Sequence, residues 1–145
     1  MLYFDTSFLA PLFLPESTSS VVEHFVRNLP GVNLTVSHWG LVEFSSILAR
    51  KVRTGELDVE GALRADASFE DMMEQSFAII LPNADDFGLA KRYLARFETG
   101  LRGGDALHLA IAGNRRAAAI YSLDTGMIRA GETLGLQISL GIGAG

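Results

Sequence analysis

The chain has 145 residues, 48% of them hydrophobic, with mean hydropathy +0.24 and a formal net charge of −5 from 12 basic and 17 acidic side chains. That apolar content excludes a disordered chain, and the length fits one domain that buries about 68–70% of its unfolded surface. The absence of cysteine excludes a disulfide framework, a thiolate zinc site and a cysteine nucleophile, and the net negative charge argues mildly against non-specific nucleic-acid binding.

Leu2-Tyr3-Phe4 is a short, β-prone apolar run that predicts a first strand over residues 2–5, ending in Asp5. The Leu- and Phe-rich first fifteen residues lack a basic leader and are interrupted by Asp5, so no signal peptide is expected. No stretch reaches the roughly 18–20 apolar residues of a membrane span. A cytoplasmic protein without a membrane partner is the expectation, compatible with the lack of cysteine.

Residues 6–14 read as a short apolar helix stopped by Pro15. Ser17 is placed to cap a helix over about 18–28, with Val21, Val22, Phe25 and Val26 on one face. Leu34-Thr35-Val36 predicts a second strand. A longer helix begins at Ser37 or His38, carries Leu41, Val42, Phe44, Ile47, Leu48 and Val52, and stops at Gly55. Asp58 caps the next helix, over about 59–75. Residues 77–81 form a buried strand bounded by Pro82.

Asn83 caps a helix expected to run through residue 98. Gly100 to Gly104 is a flexible connection, and Asp105 opens a nearly all-apolar, hence central, helix to Arg115. Residues 118–123 form a strand that ends in Asp124. A short helix and a last strand around 136–140 follow. The domain is expected to span 1–140, with 141–145 as a frayed, flexible tail. Helix and strand patterns alternate throughout, which predicts an α/β fold with a parallel sheet.

Four acids stand out: Asp5, Glu43, Asp105 and Asp124. Asp5 and Asp124 directly follow apolar strand-like runs, where surface solvation has no need of an acid. Glu43 lies early in its helix. Ligands of open α/β sheets bind beyond the carboxyl ends of the strands, so the four can meet there. Four carboxylates at one point repel unless a cation joins them, and hard divalent ions such as Mg²⁺ take such oxygen donors.

On this order of elements the chain resembles the PIN-domain ribonucleases, and among them the VapC-like toxins of toxin–antitoxin pairs. The resemblance runs from Leu2 to about Leu140. It is carried by Tyr3-Phe4-Asp5-Thr6-Ser7, by Glu43 within residues 37–44, by Gly104-Asp105-Ala106-Leu107-His108, and by Ser122-Leu123-Asp124. It implies a three-layer α/β/α PIN-like fold with a central, mostly parallel sheet of four to five strands. It also implies a metal-dependent endoribonuclease in which the acidic set holds Mg²⁺ or Mn²⁺, a small antitoxin as partner, and a homodimer.

Asp5, Glu43, Asp105 and Asp124 are accordingly the candidate catalytic and metal-binding residues, with Asp105 or Asp124 orienting the attacking water. Thr6 and Ser7 are placed to touch a metal-bound water or a phosphate at the start of the first helix, although a helix cap serves Ser7 equally well. Ser122 points to the same side of its strand as Asp124 and is expected to steady that carboxylate. Arg102, close to Asp105, is the candidate RNA contact. His108 reads as a buried, hydrogen-bonded structural histidine, His38 as a capping residue and Trp39 as an interior aromatic.

Two rivals remain. A haloacid-dehalogenase-like phosphatase would want a second aspartate two residues after Asp5, where Ser7 stands. A catalytically silent module, binding RNA or a partner, would have no need of an intact acidic set.

Overall fold

The computed structural model describes residues 1–31 and 33–143, arranged around an all-parallel five-stranded sheet. Its strands are β1 (Leu2–Phe4), β2 (Leu34–Ser37), β3 (Ala78–Ile80), β4 (Ala119–Tyr121) and β5 (Ile138–Ser139), in the order β3-β2-β1-β4-β5. Tyr3 sits in register with Thr35 on one side and Ile120 on the other. The connections are helical, as parallel pairing requires. They are α1 (Thr6–Leu9), α2 (Ser19–Arg27), α3 (His38–Arg53), α4 (Val59–Ser76), α5 (Ala84–Leu94), α6 (Gly103–Asn114) and α7 (Thr125–Thr133). Among the described residues no helix is long and apolar enough to cross a membrane.

The pleat of β1 divides the interior in two. Phe4 faces the side covered by α1 to α4, and Tyr3 faces the side covered by α5 to α7. The first side is rich in aromatics: Phe44 stacks on Phe69 with centroids 4.1 Å apart, and Phe13 meets Phe69 edge-on at 5.2 Å. The second side is built on α6, whose residues from Ala106 to Ala112 are all buried. This is the three-layer α/β/α arrangement, with the expected central helix in place.

The chain runs from β1 outward through β2 to β3, then crosses back to place β4 and β5 on the other side of β1. The direction of winding therefore reverses between β1 and β4, and the crevice beyond their carboxyl ends is where such sheets bind ligands.

Several element boundaries differ from the expectations. The helix expected over 6–14 is one α-turn followed by a 3₁₀ turn, Ala10–Leu12, because Pro11 has no N–H to continue the ladder. Ser17 does not cap α2. Thr18 holds that position without a side-chain bond, and the Glu16 N–H donates to Ser19 Oγ at 2.9 Å. The helix expected to reach residue 98 stops at Leu94. Arg96 leaves the helical region at ψ 76°, and a short turn, Phe97–Thr99, follows with Phe97 88% exposed. Gly103 and Gly104 already belong to α6. The last strand is Ile138–Ser139 alone. Of the tail expected to be frayed, Ile142 packs against the core, and residues 144 and 145 lie outside the described residues.

Arg115 is an ion-pair partner rather than a solvated charge. Asp86, fully buried, closes a capping box with Asn83 at the start of α5. Its carboxylate also accepts from Arg115 Nη1 at 2.8 Å and Nη2 at 3.0 Å, and from Asn114 Nδ2 at 2.9 Å. Burial alone would raise the Asp86 pKa. The Arg115 and Asn114 hydrogen bonds outweigh it and hold the carboxyl below its ordinary value.

Candidate active site

Asp5 and Asp124 stand in the crevice because each caps the helix that follows its strand. Asp5 Oδ1 accepts from the Phe8 N–H at 3.1 Å, starting α1. Asp124 Oδ1 accepts from the Met127 N–H at 3.1 Å, starting α7. A carboxylate at this position satisfies an otherwise orphan donor and sits at the positive end of the helix. The same bond aims the side chain over the end of the sheet.

Asp5 is buried, at 3% exposure, and every one of its close partners is a donor. Ser7 Oγ donates to Oδ1 at 2.8 Å, and Ser122 Oγ donates to Oδ2 at 2.7 Å. Burial raises the Asp5 pKa. His108, the two hydroxyls and the Phe8 N–H oppose the rise without cancelling it.

Glu43 approaches from α3, one helix over. Its Oε1 accepts from Thr6 Oγ1 at 2.8 Å and is in hydrogen-bond contact with His108 Nε2. The other ring nitrogen of His108, Nδ1, lies 2.7 Å from the Tyr3 hydroxyl, which donates to Ser37 Oγ at 2.9 Å. Ser37 in turn caps α3. Thus a chain of polar contacts runs from the N-terminus of α3 through β1 and α6 back to Glu43, the sixth residue of α3. Burial alone would raise the Glu43 pKa, but the His108 and Thr6 contacts turn it downward.

Asp105 is the third residue of α6. That helix can open on two glycines because space demands one of them. A Cβ on Gly104 would lie 3.1 Å from Trp39 Cζ2 and 3.2 Å from Glu43 Oε2. Trp39 Nε1 donates to the Gly104 carbonyl at 3.1 Å, locking α6 to the start of α3. The Asp105 carboxyl has no hydrogen-bond donor among the described residues. Its pKa is pushed up to about 6, first by burial and then by the charges of Asp124, Asp5 and Glu43. The mutual repulsion expected of four acids at one place is therefore felt at Asp105.

All four acids line one cavity of about 290 Å³, together with Thr6, Ser7 and Arg50. Its donor set is oxygen only, the set that Mg²⁺ or Mn²⁺ takes. Asp105 and Asp124 each have at least one oxygen without a protein partner, and so does Glu43 through Oε2. Yet among the described residues no three of His, Asp and Glu stand close enough to hold one ion together. The residues fit a divalent cation in kind. They fit it best as an ion that keeps most of its waters and takes few direct carboxylate contacts.

Some supporting residues are placed differently from expectation. Ser122 was expected on Asp124, yet its hydroxyl donates to Asp5, and only the backbone N–H of Asp124 reaches Ser122 Oγ, at 3.0 Å. The reason is that Asp124 lies beyond the end of β4, where strand alternation no longer orders the side chains. Ser7 is not the helix cap, since Asp5 is. Its hydroxyl bonds both oxygens of Asp5 and accepts from the Leu123 N–H at 3.0 Å. Thr6 is turned to Glu43. Arg102 lines a neighbouring cleft with Asp105 and Asp124, and His38 leaves the capping of α3 to Ser37.

Sequence reasoning missed the tie between His108 and Glu43, and the place of Tyr3 in it. The partners lie 65 and 105 residues apart, so no local pattern could have paired them. It also passed over Arg129, which lines the same cleft as Arg102.

The sequence profile of the PIN domain matches residues 2–132. Among solved structures the fold is similar to VapC20 of Mycobacterium tuberculosis, described as a sarcin-ricin loop cleaving toxin. The TM-score is 0.73 at 21% identity, covering 90% of this chain and 95% of that one. It is also similar to FitAcB from Neisseria gonorrhoeae, with TM-score 0.71 at 17% identity, covering 97% of this chain and 98% of that one. VapBC-1 from nontypeable Haemophilus influenzae gives TM-score 0.66 at 17% identity, covering 96% and 97% respectively. At these identities the likeness is one of fold. No curated protein matches the chain by sequence.

Proposed function

The chain belongs to the PIN domain family, and on that premise we propose that it is a Mg²⁺- or Mn²⁺-dependent endoribonuclease, the toxin of a toxin–antitoxin pair. The observation that carries this reading is the convergence of Asp5, Glu43, Asp105 and Asp124, from four separate segments, on one cavity where burial, and then their charges, push Asp105 up to about 6. A cluster that costs stability in this way calls for a cationic ligand.

In this reading Asp5, Asp105, Asp124 and Glu43 Oε2 hold the ion, directly or through water, with Asp5 also anchoring the crevice from beneath. Such an ion, when bound, supplies Lewis acidity toward a phosphoryl oxygen and toward water. Asp105 or Asp124, with oxygens free of protein partners, orients the attacking water and accepts its proton. Thr6 and His108 fix Glu43, and Ser7 and Ser122 fix Asp5, so that the acids need not reorganise as charge develops.

The likeness to VapC20, a toxin that cleaves the sarcin-ricin loop, supports structured RNA as the substrate class. The likeness to FitAcB and VapBC-1 supports a small antitoxin as the partner. A homodimer working in the cytoplasm completes the proposal.

One observation favours a second reading. Since no three of these acids stand close enough to hold one ion together among the described residues, the chain could instead be a silent module that holds RNA or a partner. Cleavage of total cellular RNA by the purified, partner-free protein, with Mg²⁺ or Mn²⁺ and with EDTA, separates the two. Discrete cuts that need both the metal and Asp5 establish the ribonuclease. A folded protein that leaves RNA intact establishes the silent module.

A further inference from the structure

Three clefts meet at Asp124. One, of about 600 Å³, is lined by Arg102, Arg129, Asp105 and Asp124. The second is the acidic cavity itself. The third, of about 380 Å³, is lined by Arg50, Lys51, Ser7 and Asp124. The acidic cavity shares Asp105 and Asp124 with the first cleft and Ser7, Arg50 and Asp124 with the third, while those two clefts share only Asp124, so the acids lie between the arginines of a linked trough.

These arginines do not neutralise the acids. Arg50 shares a cavity with all four carboxylates, and Arg102 and Arg129 share one with two of them. Even so, among the described residues none of the three takes part in an ion pair. The competing charges in the flanking clefts are largely spoken for: Lys51 pairs with Glu56 at 2.9 Å, and Glu98 with Arg96 at 2.5 Å. Arg50, Arg102 and Arg129 are exposed. A guanidinium beside a carboxylate usually pairs with it. Three that stand off in the clefts beside the cluster are free to meet an anion that arrives from outside.

Helical geometry sets the placement on one flank. Glu43 and Arg50 are seven residues apart on α3, two turns along the same face, so the helix that delivers an acid to the centre also delivers a cation to one end of the trough. On the other flank Arg102 immediately precedes α6 and Arg129 sits in α7, the helices that carry Asp105 and begin at Asp124.

Resting on the nuclease reading above, we propose that an RNA strand crosses the acidic centre rather than ending at it. Backbone phosphates on one side of the cut lie against Arg102 and Arg129, and those on the other side lie against Arg50. Arg50 and Arg129 are thus positioning residues for the polymer. A trough with cations on both sides of the acids suits cutting within a strand.

The test is binding of a fluorescent single-stranded oligoribonucleotide to the full chain, read by anisotropy across a salt series. The Asp5→Asn background with EDTA keeps the probe intact. Arg50→Gln and Arg129→Gln are each expected to weaken binding about fivefold or more and to lower the salt slope by about 0.7, and the double variant by about twice that slope. Arg64→Gln, whose arginine is an exposed partner of Glu60 on α4, is the control and should match the parent. Loss from one flank alone overturns the crossing path, as does loss from neither, or an unvaried parent that does not bind RNA. Failure of the nuclease reading looks different: the unvaried chain would cut no RNA in Mn²⁺ while the two-sided binding pattern persisted.

Discussion

Asp105→Asn should make the metal-free protein more stable at neutral pH and leave it unchanged in acid. A carboxyl raised in the folded state from 3.8 to about 6 keeps its proton longer there than in the unfolded chain. Its stabilising contribution is therefore complete below the unfolded value and is lost as pH rises through about 6. Such a displacement is worth about 3 kcal/mol at full ionisation, and solvent access to the group reduces the expected gain to roughly 1–2 kcal/mol. For a chain of this size that is about 3–6 °C in Tm. Urea unfolding, at about pH 8 with EDTA and about pH 3, compares parent and variant. The gain should appear at the higher pH and vanish at the lower. Adding Mn²⁺ should then stabilise the parent more than the variant, because the ion relieves the repulsion that the amide has already removed. Equal stability at the higher pH would refute the claim that these carboxylates crowd one another, and with it the main physical reason for placing a cation among them.

Asp5→Asn retains an acceptor for the Phe8 N–H, so stability should move by less than about 1 kcal/mol, while metal-dependent RNA cleavage falls below detection. Retained cleavage would take Asp5 out of the catalytic set. Arg115→Ala leaves the Asp86 carboxylate buried without its bidentate partner and should cost about 3–5 kcal/mol in chemical denaturation; a cost under about 1 kcal/mol would mean that water replaces the guanidinium there. Because Asp86 titrates below its ordinary value when folded, its contribution is present above the unfolded value and is lost as pH falls through the folded one, and a pH series on the Arg115 variant should show that loss removed. Gly104→Ala places a Cβ 3.1 Å from Trp39 and 3.2 Å from Glu43. Gain in helix propensity of about 1 kcal/mol offsets part of the crowding, so the expected signature is weakened cleavage with stability nearly unchanged, and unaltered cleavage would show that Glu43 has room to move.

The parts of this molecule legible in its sequence are those whose cause is local. Asp5 and Asp124 stood out because an acid directly after a buried apolar run is costly without a purpose, and the structure explains it twice over, as helix cap and as crevice wall. The strands at residues 2–4 and 119–121, and the buried helix around Leu109, followed from apolar runs alone. What could not be read depended on distant partners. The amphipathic pattern after Asn83 continues to Phe97, but the chain leaves the helix at Arg96, and Phe97 finds no core to enter. Nothing local in Arg115-Arg116 marks the first as paired, because the carboxylate that accepts its fork belongs to Asp86, 29 residues earlier. Ser122 was assigned to the nearer acid in sequence, whereas the sheet brings Asp5, from the neighbouring strand, closer to its hydroxyl.

The reversal of winding between β1 and β4 has a practical consequence. The crevice there is made by backbone topology and by helices that begin at its rim, not by the negative charge inside it. Replacing the acids by their amides should therefore leave an intact receptacle that grips its substrate and then does nothing to it. Immobilised, such a variant would, on the ribonuclease reading proposed above, serve as bait, retrieving from a cell extract the intact RNA that the unsubstituted chain is proposed to cut.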